Sequence, residues 1–256
     1  MRKFVTSVAL AAGIMGLGLQ GASAEIKLGV AAEPYPPFAE KTAAGNWEGW
    51  EIEIGDALCK AMEEECTWVE VSWDGIIPAL LAKKIDAIIS SMSITAERMK
   101  TIDFSDKYYN TPTVMIADKS SGIDGSPESL KGKIIGVQVS TVHENFATQY
   151  FGDVADIKTY QTFDEHNQDL AAGRIDAVIA DSLALTPFME SDPGACCEVK
   201  TELFDIDIFG PGVGVGLRKE DTALKDKFNA AIEKIREDGT FDAISEGYFN
   251  FDIYGG

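Results

Sequence analysis

Two stretches ninety residues apart carry nearly the same text, LLAKKIDAIISS (Leu80–Ser91) and LAAGRIDAVIAD (Leu170–Asp181). Each passes from a helix-like end through a short basic turn into Ile-Asp-Ala-aliphatic-Ile, the apolar run expected of a strand buried on both faces. This doubled helix-to-strand unit constrains the fold more than any other feature of the chain. Coincidence between two common connections would explain it. So would two similar α/β halves, each with an equivalent strand whose carboxyl end faces outward. Open α/β sheets take ligands beyond the carboxyl ends of their strands. If two such halves face each other, Ser91 and Asp181 approach one cleft from opposite walls.

The other segments read as the same alternation. Ile26–Ala31 predicts a strand, Pro34–Phe38 (PYPPF) a turn, and Gly45–Met62 a loop passing into an amphipathic helix. Thr67–Trp73 predicts a second strand, Gly75–Lys84 a short helix, and the first IDA run a third strand. After about Thr113 the order repeats. Strands are expected at Lys133–Val139, Asp156–Gln161 and the second IDA run, with helices at Glu144–Phe151 and His166–Gly173. The Gly-rich GPGVGVGL (Gly210–Leu217) lacks phosphate-loop spacing and continues as strand residues, so it reads as a hinge and strand. A long helix over Thr222–Gly239, closed by Gly239, follows. Alternating strands and helices predict an α/β protein with mostly parallel sheets.

The amino terminus bears on location. Arg2 and Lys3 precede a Gly-broken apolar stretch, Phe4–Leu19, and Ala22-Ser23-Ala24 has the small residues of a cleavage site. A membrane-spanning helix needs about 20 apolar residues, more than this stretch offers. Residues 1–24 are therefore expected to be a cleaved secretion signal, with the mature chain starting at Glu25. The leader holds two of the 22 basic and none of the 42 acidic side chains, so the mature net charge is −22. A surface so acidic argues against nucleic acid and anionic lipid as partners.

Four cysteines in an exported chain invite disulfides. Cys59 and Cys66 enclose six residues between a helical pattern and a strand, where a bridge would pin one to the other. Cys196 and Cys197 are adjacent, and a vicinal bridge, two thiols or cross-pairing all remain open for them. No C-x-x-C occurs and the two histidines, His143 and His166, lie apart in the chain, so neither a metal nor another cofactor is expected.

Taken in order, several stretches resemble the periplasmic binding proteins for polar amino acids that serve ABC importers, in particular the lysine/arginine/ornithine- and histidine-binding proteins. They are Gly49–Met62, Trp73–Thr95 with Arg98, Ile102–Tyr109, Gly136–Thr141, Asp169–Asp181 and Gly214–Asp221, with the Cys59/Cys66 pair in its expected place. The resemblance spans the mature chain. It implies a two-lobed, hinged Venus-flytrap fold, each lobe a mixed, mostly parallel sheet flanked by helices. Lobe one would comprise 25–111 and 209–256, lobe two 112–208. A permease in the inner membrane would be the partner, the protein would reside in the periplasm, and a monomer is expected.

Both the residue chemistry and the resemblance single out Arg98 as a clamp for a ligand carboxylate, because its planar fork donates two parallel hydrogen bonds. The competing role is a surface arginine paired with Glu97 or an aspartate. Ser91 and Ser93 are expected beside the same ligand end, and so is Ser90, unless it caps its own backbone. Asp181 is the expected partner of a ligand ammonium, its alternative being a cap for the next helix. The resemblance gives Ser140 and Thr141, with Gln138, contacts from the second lobe. It also makes Tyr35 and Trp73 the flat walls around the ligand side chain.

Two departures stand out. Relatives that take cationic ligands have an acid three positions before the tyrosine. Here that position is Ala32, and a one-residue bulge would be needed to bring the neighbouring Glu33 into the pocket. The loop VQVSTVH is one residue shorter than usual and has Val142 where glutamine is common. The expected ligand is arginine, lysine, ornithine or histidine, with glutamine, another polar amino acid or an opine as alternatives. An arogenate or prephenate dehydratase on the same scaffold, with Glu33 or His143 as the acid, is the rival from another class. The chain shows neither G-x-S-x-G nor H-E-x-x-H, and a binding protein rather than an enzyme is expected.

Overall fold

The computed structural model describes residues 25–255, so the expected secretion signal lies outside the described residues. The first part of the chain forms β1 (Ile26–Ala31), a small hairpin of β2 (Glu40–Lys41) and β3 (Trp47–Glu48), α1 (Trp50–Met62), β4 (Cys66–Val71), α2 (Ile76–Leu81), β5 (Ala87–Ile88) and β6 (Asp103–Tyr109). It then crosses into β7 (Thr113–Asp118), β8 (Ile134–Gln138), α3 (Val142–Phe151), β9 (Asp156–Tyr160), α4 (Phe163–Ala171), β10 (Ala177–Asp181), α5 (Ser182–Glu190) and β11 (Cys197–Leu203). The short α6 (Ile206–Phe209) leads back to β12 (Val213–Leu217), α7 (Thr222–Glu237) and α8 (Thr240–Ser245).

Two five-stranded sheets result, ordered β4-β1-β5-β12-β6 and β11-β7-β10-β8-β9, each flanked by helices. The two IDA strands, β5 and β10, both sit third in their sheets between one parallel and one antiparallel neighbour. The repeated letters have a shared physical task. Asp86 accepts a hydrogen bond from the Lys27 amide at 3.1 Å, and Asp176 accepts one from the Ile134 amide at 2.9 Å. Each aspartate thus fixes the register of its strand against the start of the parallel neighbour. The preceding isoleucines, Ile85 and Ile175, lie over Gly29 and Gly136. A Cβ at either glycine would stand 2.3 Å or 2.6 Å from the isoleucine Cδ1. The doubled sequence therefore encodes a doubled packing unit, which disposes of coincidence.

Each sheet holds two parallel and two antiparallel pairings, a more even mixture than the sequence suggests. The cause is the double crossing. The chain leaves the first sheet through β6 into β7 and returns from β11 to β12, so β7–β11 and β6–β12 must run antiparallel.

Burial anchors each lobe. Trp50, fully buried, meets Phe38, Tyr109, Phe241 and Phe249 and donates through Nε1 to Ser245 Oγ at 3.0 Å. In the other lobe Ile135, Val137, Phe146, Phe151 and Ile179 share a core. Cys59 and Cys66 are bridged with their Cα atoms 6.2 Å apart, tying the end of α1 to the start of β4. Among the described residues no helix is long and apolar enough to cross a membrane.

Candidate functional site

The carboxyl ends of β5 and β10 open onto one cavity between the lobes, about 50 Å³ in volume. From the first lobe it is lined by Glu33, Tyr35, Trp73, Ser90, Ser91, Ser93 and Arg98. Gln138, Thr141 and Asp181 line it from the second. Ser140 is the exception. It is exposed and outside the lining, and it meets the site only through its carbonyl, which accepts from Arg98 Nη2 at 3.3 Å.

The end of β5 is held rigidly. Ser90 Oγ accepts from the Ala31 amide at 2.9 Å, so this buried hydroxyl joins β5 to β1 instead of capping its own backbone. Ser91 has φ 53°, a left-handed conformation that is uncommon for a residue other than glycine. Glu51, at the start of α1, holds it there by accepting from the Ser91 amide at 2.7 Å and from Ser91 Oγ at 2.9 Å. Tyr108 donates a third hydrogen bond to the same carboxylate. Glu51 is 1 % exposed, and burial pushes its pKa up against the pull of these donors.

Arg98 is aimed into the cleft by its turn. Its amide donates to Thr95 Oγ1 at 3.2 Å and Nη1 donates to the Ser93 carbonyl at 3.0 Å. The guanidinium lies 5.4 Å from the Trp73 ring centre. Glu97 pairs instead with Lys100, and among the described residues Arg98 pairs with no carboxylate. Burial lowers its pKa to about 10, and the Asp181 charge opposes that shift. It stays cationic at neutral pH.

Asp181 ends β10 at the N-cap position of α5, yet its side chain makes no capping hydrogen bond. It accepts instead from the Tyr35 hydroxyl at 2.6 Å, across the cleft. Its other oxygen lies 3.3 Å from His143 Nε2, without the alignment of a hydrogen bond. Glu33 does face the cavity, where Gln138 Nε2 donates to it at 2.8 Å from the opposite lobe. Burial raises the Glu33 pKa. The Thr141 hydroxyl is already committed, donating to the Gln138 carbonyl at 2.7 Å and capping α3 by accepting from the Glu144 amide.

Besides small and aliphatic residues, four charged, polar or aromatic lining residues went unidentified as site residues in the sequence, Glu51, Phe163, His166 and, except as a possible acid, His143. Two signals were there. Glu51, Ile54, Gly55 and Leu58 have the spacing of one helix face, and so do Phe163, His166, Asn167 and Leu170. A polar residue on an apolar stripe is a buried polar residue. His166 is fully buried, and that burial lowers its pKa to about 3, so it is neutral. Phe163 meets Tyr35 edge-on at 4.9 Å, while Trp73 stands over Arg98. Trp73 Nε1, His143 Nε2 and His166 Nε2 are buried without a hydrogen-bond partner in the protein. Buried polar atoms in native proteins are nearly always satisfied, and three unsatisfied ones around one cavity point to a polar ligand.

A hinged two-sheet fold with a charged cleft between its lobes defines a solute-binding protein. The chain belongs to the bacterial extracellular solute-binding proteins, family 3, whose model matches residues 26–251. It is 41% identical to the L-arginine-binding protein of Pseudomonas aeruginosa over 100% of this chain and 99% of that one. Identity to the lysine/arginine/ornithine-binding periplasmic protein of Escherichia coli is 42%, over 86% of each chain. Among solved structures, an ancestral arginine-binding protein bound to arginine superposes with a TM-score of 0.81 at 34% identity, covering 88% of this chain and 98% of that one.

Proposed function

We propose that this chain is the periplasmic binding component of an amino-acid ABC importer, and that its cleft captures an L-amino acid with a cationic side chain. The observation that carries the reading is the placement of Arg98 and Asp181 on opposite lobes of one cavity. A zwitterionic head bridges them, its carboxylate on the guanidinium and its ammonium on Asp181, so neither ligand charge is buried unpaired. The remaining lining carboxylates, Glu33 and Glu51, leave the cleft with an excess of negative charge that a cationic side chain neutralises. Tyr35 and Trp73 supply aromatic faces against which such a side chain packs, with a cation–π gain of about 0.5–2 kcal/mol. Contacts from both lobes exist together only when the cleft is shut, so the ligand favours closure by its differential affinity. The closed form is then what the membrane permease receives. The names of the relatives support the same class of ligand, and export through a cleaved leader ending at Ala24 accords with a periplasmic location.

Thermal-shift screening of the protein amino acids, ornithine and opines tests the assignment. Stabilisation follows RT ln(1 + [L]/Kd), about 4 kcal/mol at a thousandfold excess over Kd. Arginine, lysine, ornithine or histidine is expected to give the largest shift. A larger shift with glutamine or a dicarboxylic opine defeats the cationic assignment, and turnover of prephenate to phenylpyruvate defeats the non-enzymatic one.

A further inference from the structure

Away from the cleft, at the head of β11, the side chains of Cys196 and Cys197 point at each other. Their sulfurs are 2.9 Å apart, within about 1 Å of a bonded pair. The other two cysteines are bridged to one another, so cross-pairing within the chain is closed off. The backbone here is fixed on both sides, since the Lys119 amide donates to the Cys196 carbonyl and the Cys197 amide donates to the Gly194 carbonyl, each at 2.9 Å. Cys197 is only 4 % exposed, while Cys196 is partly accessible.

We infer that Cys196 and Cys197 form a redox-active dithiol that closes to a vicinal disulfide, more readily reduced than the Cys59–Cys66 bridge. Closure proceeds by exchange with a disulfide oxidant of the compartment. The Cys196 thiolate attacks one sulfur of the oxidant and expels the first of its two thiolates. The Cys197 thiolate then attacks Cys196 in the mixed disulfide and expels the second. One S–S bond breaks, one forms, and the two cysteine protons end on the oxidant's sulfurs, which are reduced as the cysteines are oxidised.

The order of attack follows from accessibility and charge. Burial and the neighbouring Cys196 sulfur push the Cys197 thiol up to about 12, so it is protonated while Cys196 is the more accessible nucleophile. Once Cys196 is in the mixed disulfide, its negative charge no longer opposes ionisation of Cys197. The lability follows from covalent geometry. Neighbouring Cα atoms are about 3.8 Å apart across a trans peptide, below the roughly 4.4–6.8 Å that relaxed disulfides span. The Cys59–Cys66 bridge, with Cα atoms 6.2 Å apart, lies inside that range. A vicinal bridge encloses no intervening residue, so it removes little loop entropy and serves as a chemical switch more than a staple. The cysteine pair is remote from the cleft, whatever the cleft binds. Cys197 pairs with Asp118, at the opposite end of β7 from Thr113 and the cleft-side pairing with Asp181.

The test uses the full exported chain, alkylated with N-ethylmaleimide at harvest and mapped by mass spectrometry. The peptide holding Cys196 and Cys197 is expected unlabelled and two hydrogens lighter than its dithiol form. Under graded reduction with glutathione it should open before the Cys59–Cys66 bridge. In Cys196→Ser, Cys197 should take a single label after unfolding. Labelling of both cysteines without reductant overturns the proposal, as does a disulfide-linked dimer on a non-reducing gel. Opening of Cys59–Cys66 first overturns the lability.

Discussion

Arg98 spends its hydrogen bonds on two carbonyl groups and the face of Trp73, and Asp181 spends one oxygen on Tyr35. Each retains capacity for a charged partner, and each sits where water is largely excluded. Removing either while the ligand's complementary charge remains buried is costly, so Arg98→Ala and Asp181→Ala are each expected to weaken binding by about 2–5 kcal/mol. That corresponds to roughly 30- to several-thousand-fold in Kd by calorimetric titration, and a near-normal titration removes the residue from the site. Glu33 sets a different property. Glu33→Gln keeps an oxygen for Gln138 while deleting a charge, so affinity for a cationic amino acid should fall about tenfold or more with that for glutamine nearly unchanged. Burial holds the Glu33 pKa above the ordinary carboxylate value. As pH falls through that raised value the carboxylate takes a proton, cationic binding weakens, and the gap between wild type and Glu33→Gln closes. Titrations at about pH 7 and about pH 5 check this, and a gap that is constant across that range contradicts it. Of these residues, Asp181 was legible because an acid at the end of a buried strand needs a partner, whereas Arg98, in a turn beyond β5, was singled out by its planar fork together with the family resemblance. Glu51 and His166 were not recognised, because the same letters on a helix usually face water.

At the scale of elements, the β5 and β10 units depend on glycines that admit an isoleucine. A Cβ at Gly136 would meet Ile175 Cδ1 at 2.6 Å, with His166 Cβ and Tyr160 Cε2 each at 3.2 Å. Gly136→Ala therefore overpacks a full interior and should cost about 1–3 kcal/mol in chemical denaturation. Shortening the obstructing side chain with Ile175→Val in the same protein should recover part of that loss, making the pair non-additive. Simple additivity of the two changes argues against this packing account. The same pairing explains how much of the fold could be read in advance. IDAIISS and IDAVIAD announce themselves because strands buried on both faces are continuous apolar runs. DFSDKYY (Asp103–Tyr109) and CEVKTEL (Cys197–Leu203) do not, being interrupted by charges, and β11 also carries a register shift between Val199 and Thr201. Those strands take their places from partners on the other crossing of the chain, which no local pattern records.

For the whole molecule, closure sets like charges against each other. With the lobes joined by Gln138–Glu33, Tyr35–Asp181 and Arg98–Ser140 contacts, Glu33, Glu51 and Asp181 share one cavity with Arg98. Shutting the cleft without a ligand therefore buries more negative than positive charge, and repulsion favours the open form. A cationic amino acid reverses that balance, because its two positive groups outweigh its one carboxylate. Protons act in the same direction. Burial raises the pKa of Glu33, which meets Gln138 across the shut cleft, so the shut form binds more protons there than an open, hydrated one. The ligand-free protein is then expected to close progressively as pH falls through that raised value and to reopen above it. Arg98, at about 10, keeps its charge throughout this range. Acid should thus produce a shut protein that binds its cationic ligand poorly, whereas ligand at neutral pH produces a shut protein through binding. Small-angle scattering without ligand, at about pH 7 and about pH 5, checks the first half, with a smaller radius of gyration expected at the lower pH. Glu33→Gln should already be the more compact protein at about pH 7, since one of the opposing charges is gone. If the radius is indifferent to pH in both proteins, charge repulsion does not hold the cleft open.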